Sequence, residues 1–383
     1  MKQVILSLIT GLLPVPEAAG EGFYRLLTGS YTGNIAATGI HAYTVDCVAG
    51  KAELLSSDGE TVNPSYLSLS PDGRFLYAVS EHGAGSAVRA YAFDRAAGRL
   101  MPLNAVKTGG ADPCYLSVTE KHVITADYSG GAISVFGRKT DGSLTDTLQV
   151  IHHTGKSVHP ERQKTPHVHQ TIFTPDGAFL AVNDLGTDRV TIYRYCPETA
   201  DRSLTPVDSL TPKRGGGPRH LAFHPCPEQI IAAQRSPDFI PAYIACVLHE
   251  LDGTVSTLAI DATGRLKLLH ETSIVRRSDV QTGAADIRFS PDGRFLYASN
   301  RGTANDITCF AVESDGRLTL VQQITSAGVT PRNFALTPDG KYLFVANQQT
   351  DNIVVFARNA ETGQLTSTGQ EIRTKQPVCL LFF

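Results

Sequence analysis

Short apolar runs of five to eight residues recur along almost the whole chain, and turns rich in Gly, Asp, Ser and Asn separate them. Runs of this length between such turns predict β-strands rather than helices. One run recurs seven times, and its fullest copies include NPSYLSLSPDG (63–73) and TPRNFALTPDG (330–340). Aligned on the Pro-Asp-Gly turn, the predicted strands begin at Pro64, Pro113, Val168, Pro218, Ala284, Pro331 and Pro377.

The spacing of these strands indicates a repeat architecture. Successive strand starts are 46 to 66 residues apart, a period typical of propellers and other repeat arrays. Each repeat holds four predicted strands, and four antiparallel strands form one propeller blade. The sequence therefore predicts an all-β fold, a seven-bladed β-propeller.

The two ends of the chain complement each other. The last run, QPVCLLFF (376–383), has no strands after it, whereas residues 23–62 supply three strands without a first one. We therefore predict that both termini share one blade, which closes the ring and removes open sheet edges. Residues 23–383 are predicted to form a single propeller domain, because large all-β folds often run as one domain.

Composition excludes some classes of function. A formal net charge of −3 gives no basic field, so we expect no nucleic-acid partner. The seven cysteines form no C-x-x-C pair, and several lie in apolar strands, as Cys309 does. They are therefore expected to be small buried side chains, not a zinc or redox site. No cofactor is expected, and the chain is expected to be a monomer or a weak oligomer.

Residues 1–20 differ from the repeats. One Lys precedes a mostly apolar stretch that ends in Pro-Val-Pro and small residues, which resembles a secretory signal cleaved after Gly20. The stretch is too short for a membrane-spanning helix. We expect an exported protein if the segment is a signal peptide, the interpretation that we favour, and a cytoplasmic one if it is a disordered extension.

The first strand of each repeat carries the candidate chemistry. Counted from the strand start as zero, positions three and five are apolar in five repeats and are predicted to pack blade against blade. Positions one and two are often polar, and one end of the central channel should collect their side chains. Burying them without partners would be costly. These polar residues are His169, Gln170, Arg219, His220, Asp286, Arg332 and Asn333.

A second polar set ends the second strands of the repeats. Glu250 directly follows an apolar run, so we expect its carboxylate in a recess. For Asp127 and Asp184 we favour structural bonds between blades. His167 should lie on the same side as His169, and the pair could ligate a metal, but no third ligand is evident and no metal site is predicted. The second set comprises Glu81, Asp127, Asp184, Glu250, Arg301 and Gln348.

Two segments depart from the repeat. The polar connection GKSVHPERQKTP (155–166) is longer than the others, and long loops in a compact domain are often functional. An insertion near 228–241 accounts for the longest step between strands.

Taken together, these stretches resemble one family. The carrying motifs are HVH (167–169), GPRH (217–220), HELDGTVS (249–256) and SNRG (299–302), in this order between the Pro-Asp-Gly turns. The chain resembles the seven-bladed propeller lactonases, the 6-phosphogluconolactonase family of bacteria and its fungal relatives, the carboxy-cis,cis-muconate cyclases. The resemblance covers residues from about Leu26 to Phe383. It implies a carboxylic-ester hydrolase of carbohydrate metabolism that opens a sugar lactone, with 6-phosphogluconolactone of the pentose phosphate pathway as the first candidate.

Lactone hydrolysis suggests roles for the candidate residues. A base must activate water, and we expect Glu250 or His169 to be that base. Arg219 and Arg301 would hold the oxyanion and other anionic groups of the substrate. A serine-hydrolase route is not expected, because no Gly-x-Ser-x-Gly elbow occurs. The remaining candidates would assist catalysis or line the substrate site: His220, His167, Arg332, Asp286 and Gln348.

Two other functions remain open at this point. The same arginines could serve a cyclase or isomerase acting on a muconate-type dicarboxylate. The propeller could also be a non-enzymatic module that binds a ligand or a protein, because this fold hosts many functions. A converging ring of Arg, His and Glu would favour an enzyme, since a scaffold has no need for it.

Overall fold

The computed structural model describes residues 22–33, 38–199 and 201–383, so the predicted signal at 1–20 lies outside the described residues. The described chain forms seven four-stranded antiparallel sheets. The innermost strand of each sheet contacts the innermost strands of both neighbouring sheets, and these contacts close a ring. The predicted seven-bladed β-propeller is therefore confirmed.

The strands follow the chain blade by blade. Blade 1 contains β4 (Leu67–Leu69), β5 (Phe75–Ser80), β6 (Ala87–Asp94) and β7 (Arg99–Lys107). Blade 2 contains β8 (Pro113–Val118), β9 (His122–Asp127), β10 (Ala132–Arg138) and β11 (Leu144–His152). Blade 3 contains β12 (Val168–Phe173), β13 (Phe179–Asp184), β14 (Arg189–Tyr195) and β15 (Leu204–Leu210).

The second half of the ring repeats the arrangement. Blade 4 contains β16 (Pro218–Phe223), β17 (Pro241–His249), β18 (Thr254–Asp261) and β19 (Leu266–Ser273). Blade 5 contains β20 (Ala284–Phe289), β21 (Phe295–Asn300), β22 (Asp306–Val312) and β23 (Leu318–Thr325). Blade 6 contains β24 (Pro331–Leu336), β25 (Tyr342–Asn347), β26 (Asn352–Arg358) and β27 (Leu365–Arg373).

Blade 7 joins the two ends of the chain. It contains β28 (Pro377–Phe382), β1 (Phe23–Ser30), β2 (Ile40–Asp46) and β3 (Lys51–Asp58). Innermost β28 pairs antiparallel with β1, from Leu26 opposite Phe382 to Gly29 opposite Cys379. The predicted closure by strands from both termini is confirmed.

In the described part of the chain, two short helices interrupt the strands. A single 3-10 turn covers Gly83–Gly85, and helix α1 (Glu228–Ala233) forms in the predicted insertion of blade 4. Ile230 of α1 is buried against Ile244. Among the helices of the described residues, none has the length and apolar character needed to span a membrane.

The core lies between neighbouring blades. The apolar residues at position three of the inner strands are buried there: Leu67, Leu116, Leu221, Ile287 and Phe334. Those at position five are only half-buried, because they also face the central channel: Leu69, Val118, Phe223, Phe289 and Leu336. Five cysteines are buried as expected, whereas the expectation is wrong for Cys196 and Cys226, which are exposed in connecting loops.

A β-bulge marks the start of most inner strands. In blade 4 the pairing register shifts between Pro218 and His220, and β8, β12, β20 and β24 have shifts at the same place. Successive strand residues normally point to opposite faces, but a bulge re-aims a side chain. Arg219 and His220 consequently touch each other, with Nη1 of the arginine 3.3 Å from Nε2 of the imidazole. The bulge therefore lets positions one and two both contribute to the channel.

The predicted start of the first inner strand is wrong. The sequence placed it at Pro64, but β4 begins at Leu67. Asn63, the residue before Pro64, has a positive φ of 46°. Its side chain accepts a hydrogen bond from the backbone N–H of Gly33 over 2.8 Å and donates one to the carbonyl of Glu81 over 2.9 Å. These local bonds replace the first rungs of the ladder.

Candidate active site

Blade 4 supplies the centre of the candidate site. Arg219 is the second residue of β16, and Glu250 directly follows the neighbouring β17. Nε of Arg219 donates a hydrogen bond to Oε2 of Glu250 over 3.0 Å, and both side chains are buried. Arg301, which directly follows β21 of blade 5, places Nη2 3.0 Å from the same Oε2. Arg219 and Arg301, predicted from separate segments, thus both bind the carboxylate of Glu250.

The arginines determine the ionisation of this carboxylate. Burial by itself would raise the pKa of Glu250, but the charges of Arg301 and Arg219 hold that pKa well below its usual value. Burial lowers the pKa of Arg301 to about 10, so its guanidinium stays charged at neutral pH. Glu250 is therefore an ionised counter-ion with both oxygens engaged, which makes it a weak proton acceptor.

The 155–166 loop contributes an arginine that the sequence analysis did not single out. Nη2 of Arg162 lies 2.6 Å from Oε1 of Glu250 and donates to the hydroxyl of Tyr128 over 3.1 Å. The length and polarity of the loop were the only signals for it. The repeat pattern could not identify Arg162, because it lies in a connecting loop. Tyr128 directly follows β9, just as Glu250 follows β17, but its aromatic side chain did not stand out among the charged residues at the strand ends.

Arg332 reaches the site from blade 6. Its Nη2 donates to the hydroxyl of Tyr31 over 2.8 Å, and that hydroxyl donates to Oε2 of Glu81 over 2.9 Å. Burial and the charge of Arg332 both lower the pKa of Arg219, because the two guanidinium groups lie near each other. Tyr31 was missed by the sequence analysis. We use the name arginine cluster for Arg162, Arg219, Arg301 and Arg332 around Glu250.

His220 and Asp286 hold Arg219 of the cluster in place through a chain of contacts. Nδ1 of His220 donates to Oδ1 of Asp286 over 2.8 Å, while its Nε2 accepts the contact from Arg219. Burial and the charge of Arg219 lower the pKa of His220 to about 4, so the ring is neutral. Asp286 also accepts 2.6 Å and 3.2 Å bonds from Asn333 and Arg288. Both residues were predicted to act on the substrate, yet their polar atoms are taken up in positioning Arg219.

His169 lies beside the cluster, and one of its two ring nitrogens has no hydrogen-bond partner among the described residues. Its buried ring contacts those of Tyr128 and His220, with centroids 5.5 Å and 5.3 Å away. Burial and the charge of Arg219 lower the pKa of His169 well below its usual value, so the imidazole is neutral at pH 7. Nδ1 faces the thiol of Cys114 at 3.7 Å, and Nε2 makes no hydrogen bond with any described residue. This nitrogen can accept a proton.

His167 offers a second imidazole near the loop. It stacks on Tyr128 with centroids 4.5 Å apart, and Nδ1 donates to the backbone oxygen of that tyrosine over 3.1 Å. Nε2, the other ring nitrogen, makes no hydrogen bond with any described residue. Across the described residues, no group of three or more His, Cys, Asp or Glu side chains could hold a metal ion.

Among the described residues, three at strand ends make no hydrogen bond or ion pair with the arginine cluster. The side chain of Gln348 makes no hydrogen bond within the described residues, so the structure does not join it to the cluster. Asp127 accepts bonds from Thr125 and Ser134, and Asp184 accepts the backbone N–H of His167. The prediction of bonds between blades is confirmed for Asp184, whose Oδ2 also lies 2.9 Å from Nδ1 of His153 at the end of blade 2. It is wrong for Asp127, whose bonds to Thr125 and Ser134 lie within its own blade.

A cavity of about 520 Å³ opens at the opposite end of the channel. Its walls are mainly the half-buried residues near position five, such as Phe223 and Phe289. Its inner end is formed by position-two side chains, among them Tyr115, Gln170 and Asp286. This polar layer separates the cavity from the arginine cluster, so the cavity is not the candidate active site.

Comparison with known proteins agrees with the fold. Residues 25–382 match the family described as Lactonase, 7-bladed beta-propeller. A 6-phosphogluconolactonase of Formosa agariphila is 33% identical over 91% of this chain and 96% of its own length. One of Bacillus subtilis is 32% identical over 92% and 97%. The crystal structure of the periplasmic gluconolactonase of Pseudomonas aeruginosa matches with a TM-score of 0.84 and 35% identity, covering 94% of this chain and 99% of that one.

The seven-bladed ring and its buried cluster of Arg, His and Glu define an enzyme-like propeller rather than a plain scaffold. The chain belongs to the lactonase family of seven-bladed β-propellers. None of the three relatives described above is named a cyclase or a binding module.

Proposed function

We propose that the protein hydrolyses a sugar lactone at the arginine cluster, and that 6-phosphogluconolactone is its substrate. Membership of the lactonase family makes it a carboxylic-ester hydrolase. The observation that carries the site assignment is the meeting of Arg162, Arg219 and Arg301 on the single carboxylate of Glu250, next to the neutral ring of His169.

The charge of the site favours an anionic substrate. The cluster holds four arginines, whereas Glu250 and Glu81 are the carboxylates tied to them, so positive charges exceed negative ones by two. Asp286 is matched separately by Arg288 at 3.2 Å. A phosphate monoester carries close to two negative charges at neutral pH. A phosphorylated lactone would therefore neutralise the site.

His169 is the base in this proposal. Its neutral ring has Nε2 free to take a proton from water, and that water then attacks the lactone carbonyl carbon. Glu250 was the other candidate base, but its oxygens are held by three arginines. We assign it the role of orienting their guanidinium groups.

Arg219 and Arg301 stabilise the negative charge that forms on the carbonyl oxygen. Each uses Nε and one terminal nitrogen within the protein, and each has one terminal nitrogen without a bond to a described residue: Nη2 of Arg219 and Nη1 of Arg301. Preorganised N–H donors of this kind stabilise an oxyanion strongly in a recess without bulk water. The tetrahedral intermediate then collapses, the ring C–O bond breaks, and the leaving oxygen recovers the proton from His169.

The names of the relatives support the proposal and also supply its competitor. Two relatives are named 6-phosphogluconolactonase, whereas the Pseudomonas aeruginosa protein is named a gluconolactonase. The unphosphorylated lactone is therefore the second candidate substrate.

A direct comparison of the two lactones tests the proposal. Proton release is followed for purified protein with 6-phosphogluconolactone and with gluconolactone, and the spontaneous rate is subtracted. We expect kcat/KM to be higher for the phosphorylated lactone by about tenfold or more, since one extra charge-assisted contact contributes 1.5–3 kcal/mol. Preference for the plain lactone would contradict the substrate, and no acceleration of either would contradict the activity.

A further inference from the structure

Arg162 differs from the other arginines of the cluster in its origin and exposure. The others follow from the repeat, whereas Arg162 comes from the 155–166 loop that only blade 3 has. Its side chain is 41% exposed, compared with 3% for Arg219 and 14% for Arg301. Arg162 therefore forms the outer edge of the cluster, where a substrate enters.

The loop holds Arg162 in a fixed direction. The next residue, Gln163, is completely buried. Its side-chain amide donates to the carbonyl of Leu185 over 2.9 Å and to Oδ1 of Asp188 over 2.6 Å. Its side-chain oxygen accepts the backbone N–H of His159 over 2.9 Å. These bonds fasten the loop to blade 3, so little ordering is needed when a ligand binds.

Arg162 also keeps more hydrogen-bond donors than its own contacts use. Only Nη2 is engaged, with Glu250 and the Tyr128 hydroxyl. Nε and Nη1 make no hydrogen bond with any described residue. Arg219 and Arg301, by contrast, both use Nε within the protein.

Glu250 separates two zones of the cluster. Its Oε1 binds Arg162 on the exposed side, and its Oε2 binds Arg219 and Arg301 on the buried side. A substrate with its reacting carbonyl at the buried side would bring a distal group to Arg162. In a 6-phosphosugar lactone, the phosphate is carried on C6, across the ring oxygen from the carbonyl carbon, so the two groups are distinct and close enough to occupy these two neighbouring zones.

We infer that Arg162, with the Tyr128 hydroxyl, forms the subsite for the phosphate of the lactone and thereby determines the preference for a phosphorylated substrate. This inference rests on the proposed lactonase function. Guanidinium groups bind phosphate by charge-assisted hydrogen bonds, which are about twice as strong as neutral ones. The subsite lies outside the repeated positions, so substrate preference could change through the loop without change to the chemistry.

The variant Arg162→Gln tests the subsite, and Lys164→Gln is its matched control. Lys164 lies on the same loop and pairs with exposed Glu161 at 2.9 Å, so its replacement removes one positive charge without touching the cluster. With 6-phosphogluconolactone, we expect kcat/KM of Arg162→Gln to fall about 100-fold, mostly through KM. The loss with gluconolactone should be at least about tenfold smaller. Lys164→Gln should resemble the wild type with both lactones.

Calorimetric titration with the products supplies a second readout that needs no turnover. Wild-type protein should bind 6-phosphogluconate more tightly than gluconate, and Arg162→Gln should lose that difference. Equal losses with both lactones, or an unchanged difference between the products, would overturn the subsite. Inactivity of the wild type would instead contradict the proposed function, and the titration would still decide whether Arg162 binds phosphate.

Discussion

Nε of Arg219 donates a 3.0 Å hydrogen bond to Oε2 of Glu250, and both partners are almost completely buried within blade 4. The two residues are brought together because β16 and β17 are paired neighbours, with Pro218 opposite His249 at this end of the ladder. Burying an ion pair costs desolvation free energy that the attraction within the pair often does not offset. The presence of a buried ion pair is explained when its charged groups also bind a charged substrate.

Replacement of Glu250 by Gln should impair both stability and turnover. The variant leaves buried Arg219 and Arg301 without their counter-ion, and breaking a buried pair costs about 3–5 kcal/mol. We expect urea denaturation to show a loss of this size and kcat/KM to fall by at least about 100-fold. Glu371→Gln, which removes an exposed partner of Arg373, should cost less than about 1 kcal/mol. A stable and fully active Glu250→Gln variant would contradict this account of the residue.

Replacement of His169 by Asn should remove the base. We expect kcat to fall about 100- to 10,000-fold while the fold is retained. Burial and the charge of Arg219 hold the pKa of His169 well below 6.5, so wild-type kcat/KM should stay level as pH falls to 6.5 and decline only below it. His167→Asn is the matched comparison, since His167 lies beside the same Tyr128. An acid limb that persists unchanged in His169→Asn would assign the titration to another group.

The buried histidines should make the protein sensitive to mild acid. Burial lowers the pKa of His169, and it lowers those of His220 and His249 to about 4. Between pH 6.5 and 4.5 these histidines bind protons in the unfolded chain but not in the folded protein. The free energy of unfolding therefore decreases as the pH is lowered. Burial also lowers the pKa of His122 and His224, which makes five buried histidines with a lowered pKa. It raises the pKa of Asp127 and Asp306 to about 6, which opposes two of the five.

The net effect should be a loss of at least about 1 kcal/mol of unfolding free energy per pH unit, because the histidines with a lowered pKa outnumber the aspartates with a raised one. Urea denaturation at pH 7.5, 6.5, 5.5 and 4.5 measures it. Stability that rises from pH 6.5 to 4.5 would show that the aspartates outweigh the histidines.

Gly302 should be intolerant of a side chain. Its φ is +61°, and a Cβ there would lie 1.9 Å from the carbonyl oxygen of Gln281. Gly302→Ala should therefore cost at least about 2 kcal/mol and disturb Arg301 beside it. Gly369 has a φ of +74° with open space around the position, so Gly369→Ala should cost only about 1 kcal/mol. Equal losses in thermal or urea denaturation would mean that backbone conformation alone sets the cost.

Much of the fold was predictable because the repeat is expressed in local patterns. The predicted starts at Pro113, Pro218, Pro331 and Pro377 coincide with the first residues of their strands. The start at Pro64 failed because the side-chain bonds of Asn63 are not visible in an apolar pattern.

The site was predictable only where it uses repeated positions. Arg219 and His169 occupy position one, and their convergence follows from the propeller geometry. Arg162 could not be found this way, since its approach to Glu250 depends on the path of a loop anchored by buried Gln163. Sequence position could not distinguish Gln348, which directly follows β25 as Glu250 follows β17 but makes no side-chain hydrogen bond with any described residue.

The most direct test of the central claim is the rate of 6-phosphogluconolactone hydrolysis by the wild type and by a variant with both His169 and Arg219 replaced by Ala. Proton release is corrected for spontaneous ring opening, and circular dichroism verifies that the variant is folded. We predict clear acceleration by the wild type and at least about a 1,000-fold loss of kcat/KM in the variant. A folded double variant with wild-type activity would contradict the claim that this cluster is the active site.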